Sequence, residues 1–141
     1  MKVSVTQGLT EQAKKINKRP QLAIDKAFKP YKSGIETYVE RPGQGEKTKD
    51  GSRVKVHYEG WLADDFKLFD SSRAKRKPFE FNLGQGSLIE GWEIALKDVR
   101  QGTKLQIKIP SKLAYGSNGV PSMGIPPNAD LIFKIEVLKV S

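Results

Sequence analysis

Few residues in this chain could do chemistry. Its 141 residues include no cysteine and one histidine, His57. Thiol nucleophiles, disulfides, zinc-cysteine sites and histidine-rich metal clusters are therefore excluded by count. A Ser-His-Asp hydrolase would have to use that single imidazole. Strand alternation turns His57 away from the face that carries Tyr58, and Ser71 and Ser72 have no histidine near them in sequence, so both serines read as turn and capping residues. No phosphate-cradling GxxxxGKS/T, no GxGxxG after a strand, no HExxH and no GxSxG occurs. What stands out is aromatic and branched apolar: Tyr58, Phe69, Phe79, Phe81, Leu88, Ile89, Trp92, Tyr115, Ile125 and Phe133, set beside irregular segments. Such rings either fill a core or line one apolar pocket, and composition does not separate the two. Phe81 is assigned to the core.

These residues must be positioned by strands. Ile35–Val39, Arg53–Trp61, Phe79–Leu83, Thr103–Ile109 and Leu131–Val140 are rich in β-branched and aromatic residues. Val54, Val56 and Tyr58 alternate with Lys55, His57 and Glu59, and Leu105, Ile107 and Ile109 with Gln106 and Lys108, which predicts one buried face. Gly43-Gln44-Gly45 and Asp50-Gly51 supply turns, since glycine reaches positive φ without steric cost. Before the fourth strand, Ser87-Leu88-Ile89-Glu90 has the form of a capping box, predicting a helix start. Leu88, Trp92, Ala95, Leu96 and Val99 form its apolar stripe, and Gln101-Gly102 ends it. A largely antiparallel sheet of about five strands under one helix is an α+β architecture.

Length predicts one domain with a short appendage, because domains cluster near about 100–150 residues. With 37% hydrophobic and 29% charged residues, the chain reads as a soluble globular protein with a core of its own. The apolar positions Leu9, Ala13, Ile16, Leu22, Ala23, Ala27 and Phe28 predict two short helices, divided at Pro20 and ended by Pro30, with Thr10 as a cap. Composition then shifts near Gly34, giving a basic, partly helical extension over 1–33 and a folded domain over 34–141. The net charge of +9 is uneven: residues 1–34 hold eight Lys/Arg against Glu11 and Asp25, a net +6, and residues 35–141 hold 17 against 14, a net +3. The extension either presents a solvated face or docks weakly on an acidic partner or nucleic acid. No apolar run approaches the roughly 18–20 residues that span a bilayer. The opening MKVSVTQGLTEQ lacks a secretory apolar stretch. Cytoplasmic residence is the expectation, an exported mature chain the alternative.

Several motifs occur in order: Val56-His57-Tyr58-Glu59-Gly60, Phe69-Asp70-Ser71-Ser72-Arg73, Pro78-Phe79, Ile89-Glu90-Gly91-Trp92, Leu113-Ala114-Tyr115-Gly116 and Ile125-Pro126-Pro127-Asn128-Ala129. Through them the chain resembles the FK506-binding (FKBP-type) peptidyl-prolyl cis/trans isomerases, over roughly Gly34 to Val140. The resemblance implies a half-open antiparallel sheet wrapped around one short helix, with an apolar cleft between them. It implies catalytic roles for Tyr58, Phe69, Asp70, Trp92, Tyr115 and Phe133, with Trp92 as the floor. Phe79, Leu88, Ile89 and Ile125 would bind substrate or a macrolide of the FK506 and rapamycin type, which would inhibit. No cofactor or metal is implied, and the partners would be proline-containing polypeptides. Two positions depart from the family: Lys75 offers no planar fork for bidentate pairing with Asp70, and the 119–125 flap is one residue longer, with Val120 where a histidine often stands. Val120 and Met123 are expected at the cleft rim.

Such a site needs neither acid nor base. Rotation about a peptide C–N bond breaks amide resonance, against a barrier of roughly 18–20 kcal/mol. The planar amide carries more charge on its oxygen than the twisted one, so an apolar cleft disfavours the planar form relative to the twisted. The Ile89 N–H and the Tyr115 hydroxyl are expected to fix the substrate's carbonyls. Asp70 either orients neighbouring groups or caps the turn at Ser71 and Ser72. The alternative function is a poorly catalytic, chaperone-like module that binds proline segments or unfolded chains, docked by its basic N-terminal arm on nucleic acid, the ribosome or an acidic partner.

Overall fold

The computed structural model describes residues 27–141. The helices expected between Leu9 and Ala23, with Thr10 and Pro20, lie outside the described residues. Among the described residues seven strands form one sheet: β1 (Lys29–Pro30), β2 (Glu36–Arg41), β3 (Arg53–Leu62), β4 (Leu68–Ser71), β5 (Phe79–Asn82), β6 (Lys104–Ile109) and β7 (Leu131–Val140). All pairings are antiparallel, in the order β1-β2-β6-β7-β3-β4, and β5 pairs the first half of β3. The five expected strands are present within a residue or two of their expected ends. β1 and β4 are additional. Pro30, expected to end the second of the expected helices, lies in β1 opposite Glu36, an edge place that suits a residue with no N–H to donate.

Alternation works as read. Val54, Val56, Ile107, Ile109, Leu131 and Ile135 are at most 1% exposed, and across this face lies the one α-helix among the described residues, α1 (Glu90–Ala95), with Trp92, Ala95 and Leu96 buried against it. Gly91 permits the close approach, because a Cβ there would stand 2.5 Å from Ile109 Cγ2. The other face is also covered at one end, contrary to the expectation of one buried face. Phe28, Trp61, Ile132 and Gln106 are buried there. Phe28 packs on Tyr38 at 6.5 Å between centroids, with Lys108 Nζ 5.1 Å from its ring, and Gln106 Nε2 donates to Glu40 at 2.6 Å.

The helix is shorter than its apolar stripe, and the capping box does not form. Ile89, extended at φ −62 and ψ 149, is the N-cap, with no side-chain cap bond; Ser87 lines a cleft instead. At the other end the buried Thr48 hydroxyl donates to the Leu96 carbonyl at 2.5 Å and accepts from the Val99 N–H at 2.9 Å. A residue 48 positions away in sequence thus takes up the last turn, ending the helix before Gln101-Gly102. Gly43 and Gly45 serve close approach rather than positive φ: a Cβ at Gly43 would meet the Gln101 carbonyl oxygen.

Candidate active site

A cleft of about 340 Å³ opens between the buried sheet face and the start of α1. β3 contributes Tyr58, β4 Phe69 and Asp70, β5 Phe79, β7 Phe133, and α1 Trp92. The segment before the helix adds Leu88 and Ile89, and the loop after β6 adds Tyr115. Register explains the convergence. Tyr58 and Phe133 lie on inward positions of the paired β3 and β7, where Tyr58 faces Ile135 and Gly60 faces Phe133. Gly60 faces Asp70 on its other side, and a Cβ at Gly60 would stand 2.7 Å from Phe69 Cζ and 2.8 Å from Phe133 Cε1. Only a glycine leaves room for those two rings.

Trp92 is 4% exposed and meets its neighbours edge to face: Tyr58 at 5.3 Å and 84°, Phe133 at 5.3 Å and 89°, Phe79 at 6.1 Å and 70°. Phe69 meets Phe133 at 5.6 Å and 88°. Edge-to-face pairs hold each ring where its quadrupole is satisfied. The Trp92 N–H is buried with no hydrogen-bond partner among the described residues, so ring packing fixes the indole. Phe81 is core, as expected, at 4% exposure.

Polar groups sit on one wall. The Tyr58 hydroxyl donates to Asp70 Oδ2 at 2.6 Å, Lys75 Nζ reaches Oδ1 at 3.0 Å, and the Ser71 N–H donates to Oδ1 at 2.9 Å. Asp70 thus meets both the backbone at the start of the turn and the neighbouring side chains. Burial pushes its carboxyl up, but the Tyr58 hydroxyl, Lys75 and the Ser71 N–H outweigh this and hold it below the ordinary carboxylate range. Burial, then the hydrogen bond to Asp70 and its charge, push the Tyr58 hydroxyl up to about 12. Tyr115 is raised by burial and by the charge of Asp70, and Lys75 is raised first by its hydrogen bond to Asp70. The hydroxyl of Tyr115 and the N–H of Ile89 donate to no acceptor among the described residues.

The structure therefore gathers Tyr58, Phe69, Asp70, Phe79, Leu88, Ile89, Trp92, Tyr115 and Phe133 around one cleft. It does not bring Ile125 there: that side chain is 1% exposed and belongs to the core, held by a bridge to Val120. Val120 and Met123, expected at the rim, pack half-buried against the core and are not among the residues that line the cleft. His57, distant from the serines in sequence, meets one of them in space: Nδ1 lies 2.8 Å from Ser72 Oγ. That hydroxyl is 1% exposed and already bonded to the Tyr58 N–H and carbonyl, so it anchors β3 rather than attacking anything. Lys75, Gly86 and Ser87 are additions. The basic residue after the FDSSR motif was the signal for Lys75.

Residues 44–138 match the family model described as FKBP-type peptidyl-prolyl cis-trans isomerase. FkpA of Escherichia coli, an FKBP-type peptidyl-prolyl cis-trans isomerase by name, is 41% identical over 122 residues, which are 86% of this chain and 43% of that protein. The chain thus spans less than half of that relative. Peptidyl-prolyl cis-trans isomerase Fkbp12 of Drosophila melanogaster is 42% identical over 108 residues, 76% of this chain and 98% of that one. The crystal structure of E. coli FkpA superposes with a TM-score of 0.74 at 38% identity, covering 98% of this chain and 62% of that one. The N-terminal domain of FKBP42 from Arabidopsis thaliana, at 23% identity, shares the fold with a TM-score of 0.79 over 87% of this chain and 98% of that one. Among the described residues no helix is long and apolar enough to cross a membrane. Motifs, sheet order, cleft and relatives converge, and the chain belongs to the FKBP-type peptidyl-prolyl cis-trans isomerase family.

Proposed function

We propose that the protein accelerates cis/trans rotation of X-Pro bonds in polypeptides, by seating the prolyl ring against Trp92 and enclosing the amide among Tyr58, Phe69, Phe79 and Phe133. One observation carries this reading: the cleft is walled by rings, yet holds two unspent donors, the Ile89 N–H and the Tyr115 hydroxyl. Rings exclude the water that stabilises the planar, more polar amide, and the donors grip carbonyls of the flanking chain, so binding energy favours the twisted form. The Tyr58 hydroxyl is committed to Asp70, so it sets the ring's orientation rather than contacting substrate. No step moves a proton. The same cleft takes macrolides of the FK506 and rapamycin type, which inhibit. The test is exchange spectroscopy on a Leu-Pro peptide. Exchange should quicken with catalytic amounts of protein and return to its uncatalysed rate with one equivalent of macrolide; an unchanged rate overturns the reading.

A second reading, a proline-segment binding module with slow turnover, draws on Lys75, whose single 3.0 Å contact with Asp70 replaces a bidentate fork. Tight peptide binding without faster exchange would select it. Residues 34–141 form the catalytic domain in this proposal and residues 1–33 an arm, whose end packs onto the sheet through Phe28 and β1. The net +6 of residues 1–34 supports a weak acidic partner, with nucleic acid as the other outcome of a salt-dependence measurement.

A further inference from the structure

The cleft does not end at its rim. Tyr58 and Phe79 also line a second groove, of about 580 Å³, whose other walls include Arg53, Lys75, Lys77 and Glu80. Arg53 is matched by Glu80 at 3.1 Å and Lys75 by Asp70 at 3.0 Å. Lys77 and the adjacent Arg76 are exposed and make no ion pair among the described residues. An uncompensated cation, Lys77, therefore lines a groove that shares Tyr58 and Phe79 with the prolyl cleft, and a second, Arg76, adjoins it in sequence. Their turn is built rather than loose: the Lys75 N–H donates to the Ser71 carbonyl at 3.3 Å, that of Arg76 to Arg73 at 3.0 Å and that of Lys77 to Ser72 at 3.2 Å. The Ala74 N–H donates to Ser71 Oγ at 3.1 Å.

We propose that this turn selects substrates: the protein favours prolyl bonds in segments carrying an Asp or Glu side chain within a few residues of the proline, the carboxylate lying against Lys77 and Arg76. The proposal rests on the isomerase reading above and adds a substrate class to it. Tyr58 and Phe79 stand 5.3 and 6.1 Å from Trp92 between ring centroids, and an extended chain advances about 3.3–3.6 Å per residue, so a peptide seated on Trp92 reaches these shared rings within about two residues. Exposed charge pairs contribute little each, but a cation pair with no internal partner also steers encounter.

The test compares kcat/KM for peptides with Glu, Gln or Lys placed two residues before, and separately two residues after, the proline. With wild-type protein at low ionic strength the Glu peptide should exceed the Lys peptide by about threefold to tenfold in at least one series. The gap should close at about 0.5 M salt, where the Debye length falls to a few ångströms. In Arg76→Glu/Lys77→Glu the ratio should fall to one or below, with thermal unfolding unchanged. Lys49→Glu/Lys139→Glu, the same change in net charge elsewhere on the exposed surface, should keep the wild-type ratio. Equal rates for Glu and Lys peptides, or equal loss of the ratio in both double variants, overturns the proposal while the isomerase reading stands. No acceleration of any peptide overturns that reading, and the proposal with it.

Discussion

Tyr58 and Tyr115 stand in one cleft with hydroxyls in opposite circumstances: the first donates to Asp70 at 2.6 Å, and the second has no partner among the described residues. Tyr115→Phe should therefore raise KM for peptides by about threefold to tenfold, the worth of one hydrogen bond near 1 kcal/mol, with kcat and thermal stability little changed. Tyr58→Phe should instead lower thermal stability and show its deficit in kcat, since Asp70 loses a donor and the ring its anchor. Titration at the cleft is expected only at the extremes. Asp70 is held below the ordinary carboxylate range and Tyr58 is pushed up to about 12; Lys75 and Tyr115 are raised from values already above neutral. The kcat/KM profile should be flat between about pH 5 and 9. Stability contributed by Asp70 is present above its unfolded pKa and is lost as pH falls through the lower folded value. That from Tyr58 is complete below its ordinary value and is lost as pH rises through about 12. The ring walls were legible in sequence because the proposed catalysis uses the residue types that also build cores. Ile125 was not separable from core by type, and Ser87 was read as a cap because its hydroxyl looks the same in either role.

Among the elements, α1 is the least self-sufficient. Six residues lie well below the length at which a helix is stable alone, so tertiary contacts at both ends set its boundaries. Thr48→Val keeps the shape of the side chain and removes the hydroxyl that holds the Leu96 carbonyl and the Val99 N–H. It should destabilise the fold by about 1–3 kcal/mol, measured by chemical denaturation, and lower peptide affinity by loosening Trp92. Strand alternation announced β3, β6 and β7, because one face of each is buried along its length. β4 escaped notice because its four residues include exposed Leu68 and half-buried Asp70, so no period shows. β1 escaped because Pro30 resembles a helix stop until its partner Glu36 is known.

At the scale of the whole molecule, the cleft lies under one face of the sheet, and Phe28 packs on the other, against Tyr38 and Lys108. Deleting residues 1–33 should leave peptide exchange within about twofold. It should lower stability by about 1.5–3 kcal/mol, the worth of one buried aromatic side chain, which differential scanning calorimetry would register as a fall in Tm. Charge gave no hint of this packing, since the basic composition of the extension hides an apolar anchor, Phe28, near its end. The central claim is that rotation is eased by a dry, ring-walled enclosure with no proton in flight. The direct measurement is the ratio of kcat/KM for Leu-Pro exchange in ordinary and heavy water. The account predicts acceleration in both, with a ratio of about 1. A ratio of about 2 or more, signalling proton transfer in the rate-limiting step, would contradict it.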